Sequence, residues 1–221
     1  LSDFNFFLIS FKEAISNAIE VFNGSGRLCF AFSNHDVPRS ATRQLEPLGI
    51  SVDKQDDLQL LLLQLETSLI GSTCVYQGEE LGLGDVTDIP LDKMKDPWGI
   101  NFHPEFLGRD TCRTPMVWDK KQPMGGFTSA NQTWLPIAEV HLEKAGLGMA
   151  KNTKSIYGEF SKFLQWRKKQ SAMMHANIMS KVSGGPKEII FNRVSNYQKL
   201  RCKFDFEKVK ATFEEVKHGT S

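Results

Sequence analysis

Cysteine is scarce in this chain. Its 221 residues include only Cys29, Cys74, Cys112 and Cys202, widely spaced and without a C-x-x-C pair. That pattern excludes a zinc ribbon and a dense disulfide framework, and it predicts buried free thiols in a reducing compartment such as the cytoplasm. A long apolar run is also lacking. The longest, LLLQLETSLIG, is interrupted by Gln64 and Glu66 and falls well short of the ~20 apolar residues of a membrane span, so no membrane partner is expected. Charge of one sign is lacking too. With 27 basic against 26 acidic side chains and a formal net charge of +1, no global field would gather nucleic acid or an anionic lipid surface. The start, at Leu1, has no basic segment and no small-residue cleavage site, and it reads as a chain entered midway.

What is present has clear periodicity in places. Apolar residues at 11, 15, 18, 19 and 22 predict an amphipathic helix from Phe11 to Phe22, closed by NGSG. RLCFAF (27–32) is short, apolar and bounded by turn residues, the pattern of a fully buried parallel strand. Asp56 and Asp57 suit the start of a helix through LQLLLLQLETSLI, with Gly71 as its C-terminal glycine. STCVYQ (72–77) then predicts a second buried strand. Strand, helix, strand over a crossover of about 40 residues is a parallel right-handed unit.

Residues 84–136 hold six of the nine prolines and three of the four tryptophans, with no sustained period. A stretch that long without regular structure is uncommon in a domain unless it is functional. Helical spacing returns over 156–170, and KEIIFNRVSNYQKLRCKFDF predicts two strands joined at SNYQ.

Ligands of parallel α/β sheets bind at the carboxyl ends of strands. Both strands end in polarity: Asn34, His35, Asp36 and Arg39 after the first, QGEELG after the second. Taken alone, NHDVPR also fits a turn with an Asx-type cap. Three separated motifs, FSNHDVPR, VYQGEELGL and GRDTCRTPMVWD followed by GGFTSANQTWLP, resemble in order and spacing the C-terminal third of bacterial α-glucosidases of the α-amylase superfamily, the maltase and oligo-1,6-glucosidase group.

That resemblance implies an α/β fold: the C-terminal portion of a (β/α)8 TIM barrel, strands seven and eight with flanking helices, followed by part of a C-terminal β-sandwich. Residues 1–172 would be partial barrel, including a long loop at 84–150 and a final helix at 151–172. Residues 176–221 would belong to the β domain. It also implies roles. Asp36 would stabilise an oxocarbenium-like transition state, His35 would donate to the same sugar ring, and Asn34 and Arg39 would line the pocket. Arg109 would pair with an aspartate early in the full-length enzymes and close the pocket, making the enzyme exo-acting, with Arg113 structural.

The implied substrate is an oligosaccharide such as maltose, cleaved at terminal α-linked glucose of malto- or isomalto-oligosaccharides. The nucleophilic aspartate and acid/base glutamate follow strands four and five in that family and have no counterpart among these residues. The missing N-terminal part of the same enzyme is therefore an expected partner, and inactivity of the isolated chain is expected. No cofactor is expected, any structural calcium being held by the earlier loops. A transglycosylating sister enzyme, of the sucrose isomerase or trehalose synthase kind, and a non-catalytic barrel scaffold are the alternatives. Glu79 and Glu80 are expected to support the barrel rim. His103, His141 and His175 lack ligand spacing, Trp98, Trp118 and Trp134 are expected to pack, and Arg167, Lys168 and Lys169 to form a solvated helix end.

Overall fold

The computed structural model describes residues 3–22, 28–176 and 178–216. Helix α1 covers Asp3–Phe22, beginning eight residues before the apolar period that predicts it. The NGSG segment lies outside the described residues. Strand β1 is Cys29–Phe30, α2 is Ser40–Leu45, α3 is Gln55–Ser68 and β2 is Ser72–Thr73. β1 and β2 pair in parallel, Cys29 opposite Ser72 and Phe30 opposite Thr73, as the strand, helix, strand reading requires.

The two strands depart from expectation in burial. Cys29, Ala31, Ser72 and Cys74 are exposed, and Phe30, Phe32 and Val75 only partly covered. An apolar strand is buried only if something lies on both its faces, and among the described residues β1 and β2 have no further strand beside them. All four cysteines are free thiols, but only Cys112 and Cys202 are buried.

Helix α3 explains how the strands are held. Leu58, Leu61, Leu62 and Leu65 recur at i, i+3, i+4 and i+7 and enter the main core with Leu8, Ile15, Phe191 and Phe204. Leu63 points the other way, into a cluster with Ile156, Phe160 and Phe163. At about 1.5–3 kcal/mol for each fully buried leucine, packing on both sides outweighs the absence of any side-chain cap at Lys54. Gly71 is not the helix cap. Its φ of +112° lets the chain pass Leu28, whose carbonyl oxygen would lie 2.6 Å from an added Cβ, so the glycine serves the close approach of β2 to β1.

The aperiodic stretch and the residues after it, up to 151, are built from single 3-10 turns and short helices: α4 Pro97–Phe102, α5 Glu139–Leu142 and α6 Gly146–Lys151. Helices α7, Ile156–Arg167, and α8, Ser171–Met174, follow. Ser155 caps α7, accepting from the Gly158 N–H. Arg167 departs from the solvated-end expectation: its Nε donates to the Thr67 carbonyl at 2.7 Å, and burial lowers its pKa.

β3 (Ile178–Met179), β4 (Glu188–Val194), β5 (Lys199–Asp205) and β6 (Lys210–Glu215) form an antiparallel sheet in chain order. Its inward residues Ile189, Phe191, Leu200, Cys202 and Phe204 share one cluster with α1 and α3. The core thus crosses the expected division at 172–176. Arg193 of β4 pins the junction: its Nη1 donates to the carbonyls of Ser68 and Leu69 at 2.8 and 2.6 Å. These are acceptors at the end of α3, where the helix leaves carbonyls without partners.

Candidate active site

The polar cluster after β1 divides into an inner and an outer half. In the inner half Ser33 Oγ donates to Glu79 and accepts from the Ser40 N–H at 2.8 Å, capping the start of α2. Glu79, fully buried, also accepts from Ser40 Oγ and from the Tyr76 N–H, at 2.9 and 3.1 Å. It ties the end of β1 to the end of β2, which is the supporting role expected of it. Glu80 turns back to accept from the Gly78 N–H.

Arg39 belongs to this inner half, which corrects the expectation that it lines a pocket. It is 0% exposed. Its guanidinium donates to the carbonyls of Gly84 and Gln77 at 3.1 and 3.4 Å, lies 3.7 Å from Asp85, and stacks over Tyr76. The loop at 84–86 folds over it and leaves no face for a ligand.

In the outer half Asn34 Oδ1 accepts from the Asp36 N–H at 2.8 Å. The Asx turn is therefore present, and through it the Asn34 side chain orients the backbone that carries Asp36. The Asp36 side chain is 51% exposed, and its Oδ1 accepts from Arg109 Nη1 at 3.2 Å and from Arg113 Nη2 at 2.9 Å. Arg113 also donates from Nε to the His35 carbonyl at 2.6 Å, so the arginine expected to be structural in fact touches Asp36. Asp36 Oδ2 faces His35 Nε2 at 3.4 Å and has no other side-chain neighbour within bonding reach among the described residues.

Sequence reasoning missed Asp96. Its carboxylate takes Arg109 in a fork, Nε to Oδ2 at 3.0 Å and Nη2 to Oδ1 at 2.8 Å, while Oδ2 also accepts the Arg109 N–H at 2.7 Å. That fork holds the Asp96 carboxyl down at about 2 and raises the Arg109 guanidinium. The motif GRD explains the local geometry. Gly108, at φ +69°, brings the chain so close to Asp96 that an added Cβ would sit 2.7 Å from Oδ2. Asp110 is buried and accepts the N–H groups of Lys95 and Asp96 at 2.5 and 2.8 Å, and Arg109 alone reaches outward. The only sequence signal for Asp96 was the D-P-W opening of α4, an N-cap followed by Pro at the first helical position. Trp98, expected to pack, is 57% exposed and covers the Arg109 guanidinium at 5.1 Å.

The cluster therefore presents one open carboxylate whose position is fixed by two arginines, Arg109 held by the buried Asp96 carboxylate and Arg113 by the His35 carbonyl. Such a group can bind sugar hydroxyls or face a developing positive charge without reorganising. His141 is remote from this chemistry: buried, with Nε2 3.0 Å from the Gly84 carbonyl oxygen, it is pushed down to about 4 by desolvation and by Arg39. His103 and His175 are exposed.

The model of the α-amylase catalytic domain matches residues 2–176. The chain is 38% identical over 189 residues to a probable α-glucosidase of Rhizobium meliloti, spanning 86% of this chain and 33% of that one. It is 28% identical over 199 residues to an oligo-1,6-glucosidase of Halalkalibacterium halodurans, of which it covers 34%. Among solved structures, the α-glucosyl transfer enzyme XgtA superposes with a TM-score of 0.75 at 32% identity, over 88% of this chain and 35% of that chain. The trehalulose synthase MutB of Pseudomonas mesoacidophila MX-45, at 18% identity and a TM-score of 0.75, shows the fold alone. The chain spans about a third of the length of these relatives. With most of its own length accounted for by the match, and with FSNHDVPR, VYQGEELGL and the GRDTCR part of the third motif meeting at two parallel strand ends, the chain belongs to the α-amylase family.

Proposed function

We propose that this chain carries the transition-state-stabilising part of an exo-acting, retaining α-glucosidase that releases terminal glucose from malto- or isomalto-oligosaccharides. The observation that supports it is the open Asp36 carboxylate, its Oδ1 engaged by Arg109 and Arg113 and its Oδ2 free toward His35. Hydroxyl hydrogen bonds to such a carboxylate strengthen as the sugar ring flattens and its anomeric carbon becomes positive, so they lower the barrier more than they deepen the ground state. Asn34 orients Asp36, and Arg109, clamped by Asp96, closes the pocket beyond the ring. Arg39 braces the strand ends from beneath.

In this reading β1 and β2 are the seventh and eighth strands of a (β/α)8 barrel, and β3 to β6 open a C-terminal β-sandwich. A retaining glycosidase also needs two working carboxyls roughly 5 Å apart. In this cluster the second carboxylate, Asp96, has no exposed side-chain surface and is bonded to Arg109 through both oxygens, so it can serve neither as nucleophile nor as acid. The chain is accordingly inactive alone, and the segment bearing strands one to six is its partner.

The test is turnover of a chromogenic α-glucoside by the chain alone and by the chain supplied with the barrel segment of a relative. We expect activity only in the second case, lowered about 10²–10³-fold by Asp36→Asn. Turnover by the isolated chain at the rate of a full-length glucosidase overturns the proposal. The 32% identity to an α-glucosyl transfer enzyme favours one second reading, transglycosylation. Product analysis of the complemented enzyme, free glucose against a transferred glucosyl unit, separates the two.

A further inference from the structure

We propose that the long loop after β2 carries a second saccharide pocket, separate from the Asp36 cluster and taking a neutral di- or trisaccharide. A cavity of about 730 Å³ opens between the 92–95, 122–125 and 131–142 segments, within the size range of small-molecule sites. It shares no lining residue with the Asp36 cluster. The two lie on either side of one short segment, since Lys95 lines the cavity and the next residue, Asp96, clamps Arg109.

The lining has the chemistry of a sugar site. Trp134 stands 60% exposed on the wall, an apolar face on which a pyranose C–H surface can stack, with an N–H to spare. Around it the side-chain amides of Gln122, Asn131 and Gln132 are exposed, and no hydrogen bond occupies them within the described residues. Planar amides donate and accept at once, as adjacent hydroxyls require. Charge on the lining cancels, Asp92 and Glu139 against Lys93 and Lys95, so the pocket selects against strongly ionic ligands. Met124, which lines the cavity, is held at φ +52° just ahead of Gly125 and Gly126, which are also left-handed. A left-handed methionine is a backbone cost that persists only where surrounding contacts impose it. Here the Gly125 carbonyl accepts from the N–H groups of Trp118 and Asp119, at 2.8 and 3.0 Å.

Titration of the intact chain with maltotriose, followed by calorimetry and tryptophan fluorescence, tests the assignment. The expected dissociation constant is of millimolar order. Trp134→Ala should weaken it about tenfold and Trp134→Phe less. The assignment is overturned by no saturable binding up to ~50 mM, by binding unchanged in Trp134→Ala, or by tighter binding of an anionic uronate saccharide than of maltotriose. Binding lost in Asp36→Asn but kept in Trp134→Ala would likewise overturn it while supporting the Asp36 reading. Because Trp134 is exposed, its variants are expected to keep the wild-type circular dichroism spectrum, which the same samples report.

Discussion

Arg39 and Arg109 make an instructive pair. Both come from motifs that point to a sugar pocket, and both guanidiniums are held by protein acceptors, Arg39 by two carbonyls beside a carboxylate and Arg109 by carboxylates alone. Arg39 is sealed against Gly84, Gln77 and Asp85, whereas Arg109 keeps one nitrogen for Asp36 in solvent. The difference lies in the backbone that carries each. Arg39 stands immediately before α2 and under the folded-back loop at 84–86. Arg109 follows a left-handed glycine that swings it outward. A charge in a motif becomes a brace or a tool according to what covers it.

Arg39→Met should sharpen that contrast most. It leaves Asp85 buried without its cation, and breaking a buried pair from one side costs about 3–5 kcal/mol. Urea denaturation reads the loss, and a change below about 1 kcal/mol would put Arg39 on the outer side of the comparison. Asp36→Asn should do the opposite. In the complemented enzyme kcat should fall by about 10²–10³, with a urea midpoint close to wild type because half of the side chain is already in water. A large stability loss in that variant would break the distinction.

Solution pH probes the inner half next. His141 is neutral when folded, its pKa lowered to about 4 from an ordinary 6.5. The unfolded chain therefore binds the extra proton first, and stability should fall by about 3 kcal/mol as pH drops from 6.5 to 4. Glu66, buried near Glu79, is raised to about 8 by desolvation. The sign reverses there: the folded state holds the proton, so stability should fall as pH rises from 4.5 through 8. Over pH 4.5–6.5 the two effects oppose each other, so thermal melts should stay nearly level there and drop between 6.5 and 8. Glu66→Gln should remove the drop above pH 6.5 and His141→Asn should extend it down to 4.5, while a wild-type chain that stays level from 6.5 to 8 would show that Glu66 is not desolvated. The smallest effect is expected from Gly71→Ala, at least about 1 kcal/mol, because its Cβ would press on Leu28.

Much of the fold was legible because it is periodic. The α3 leucines, the α7 aromatics and the β4–β5 hairpin all carry a repeat that states which side is inward. Strands β1 and β2 were legible in position but not in burial, since RLCFAF says that something apolar should cover it, not whether that cover lies within the same residues. Within the site, Asn34, His35, Asp36 and Arg109 could be picked out because they sit in motifs that resemble a known family. Asp96 could not, for its bond to Arg109 depends on how an aperiodic loop closes on itself through Gly108 and Asp110. Arg113 was undervalued for the same reason: only folding brings it across to His35 and Asp36.

The hold of Arg193 on the last carbonyls of α3 bears on how the molecule comes apart. A nick in the backbone near residue 177 would leave a cation with its acceptors on the other piece, and a hydrophobic cluster split between them. Neither piece could depart without desolvated groups losing their complements, so the cut chain should stay associated and melt in a single transition, as one body with two covalent parts.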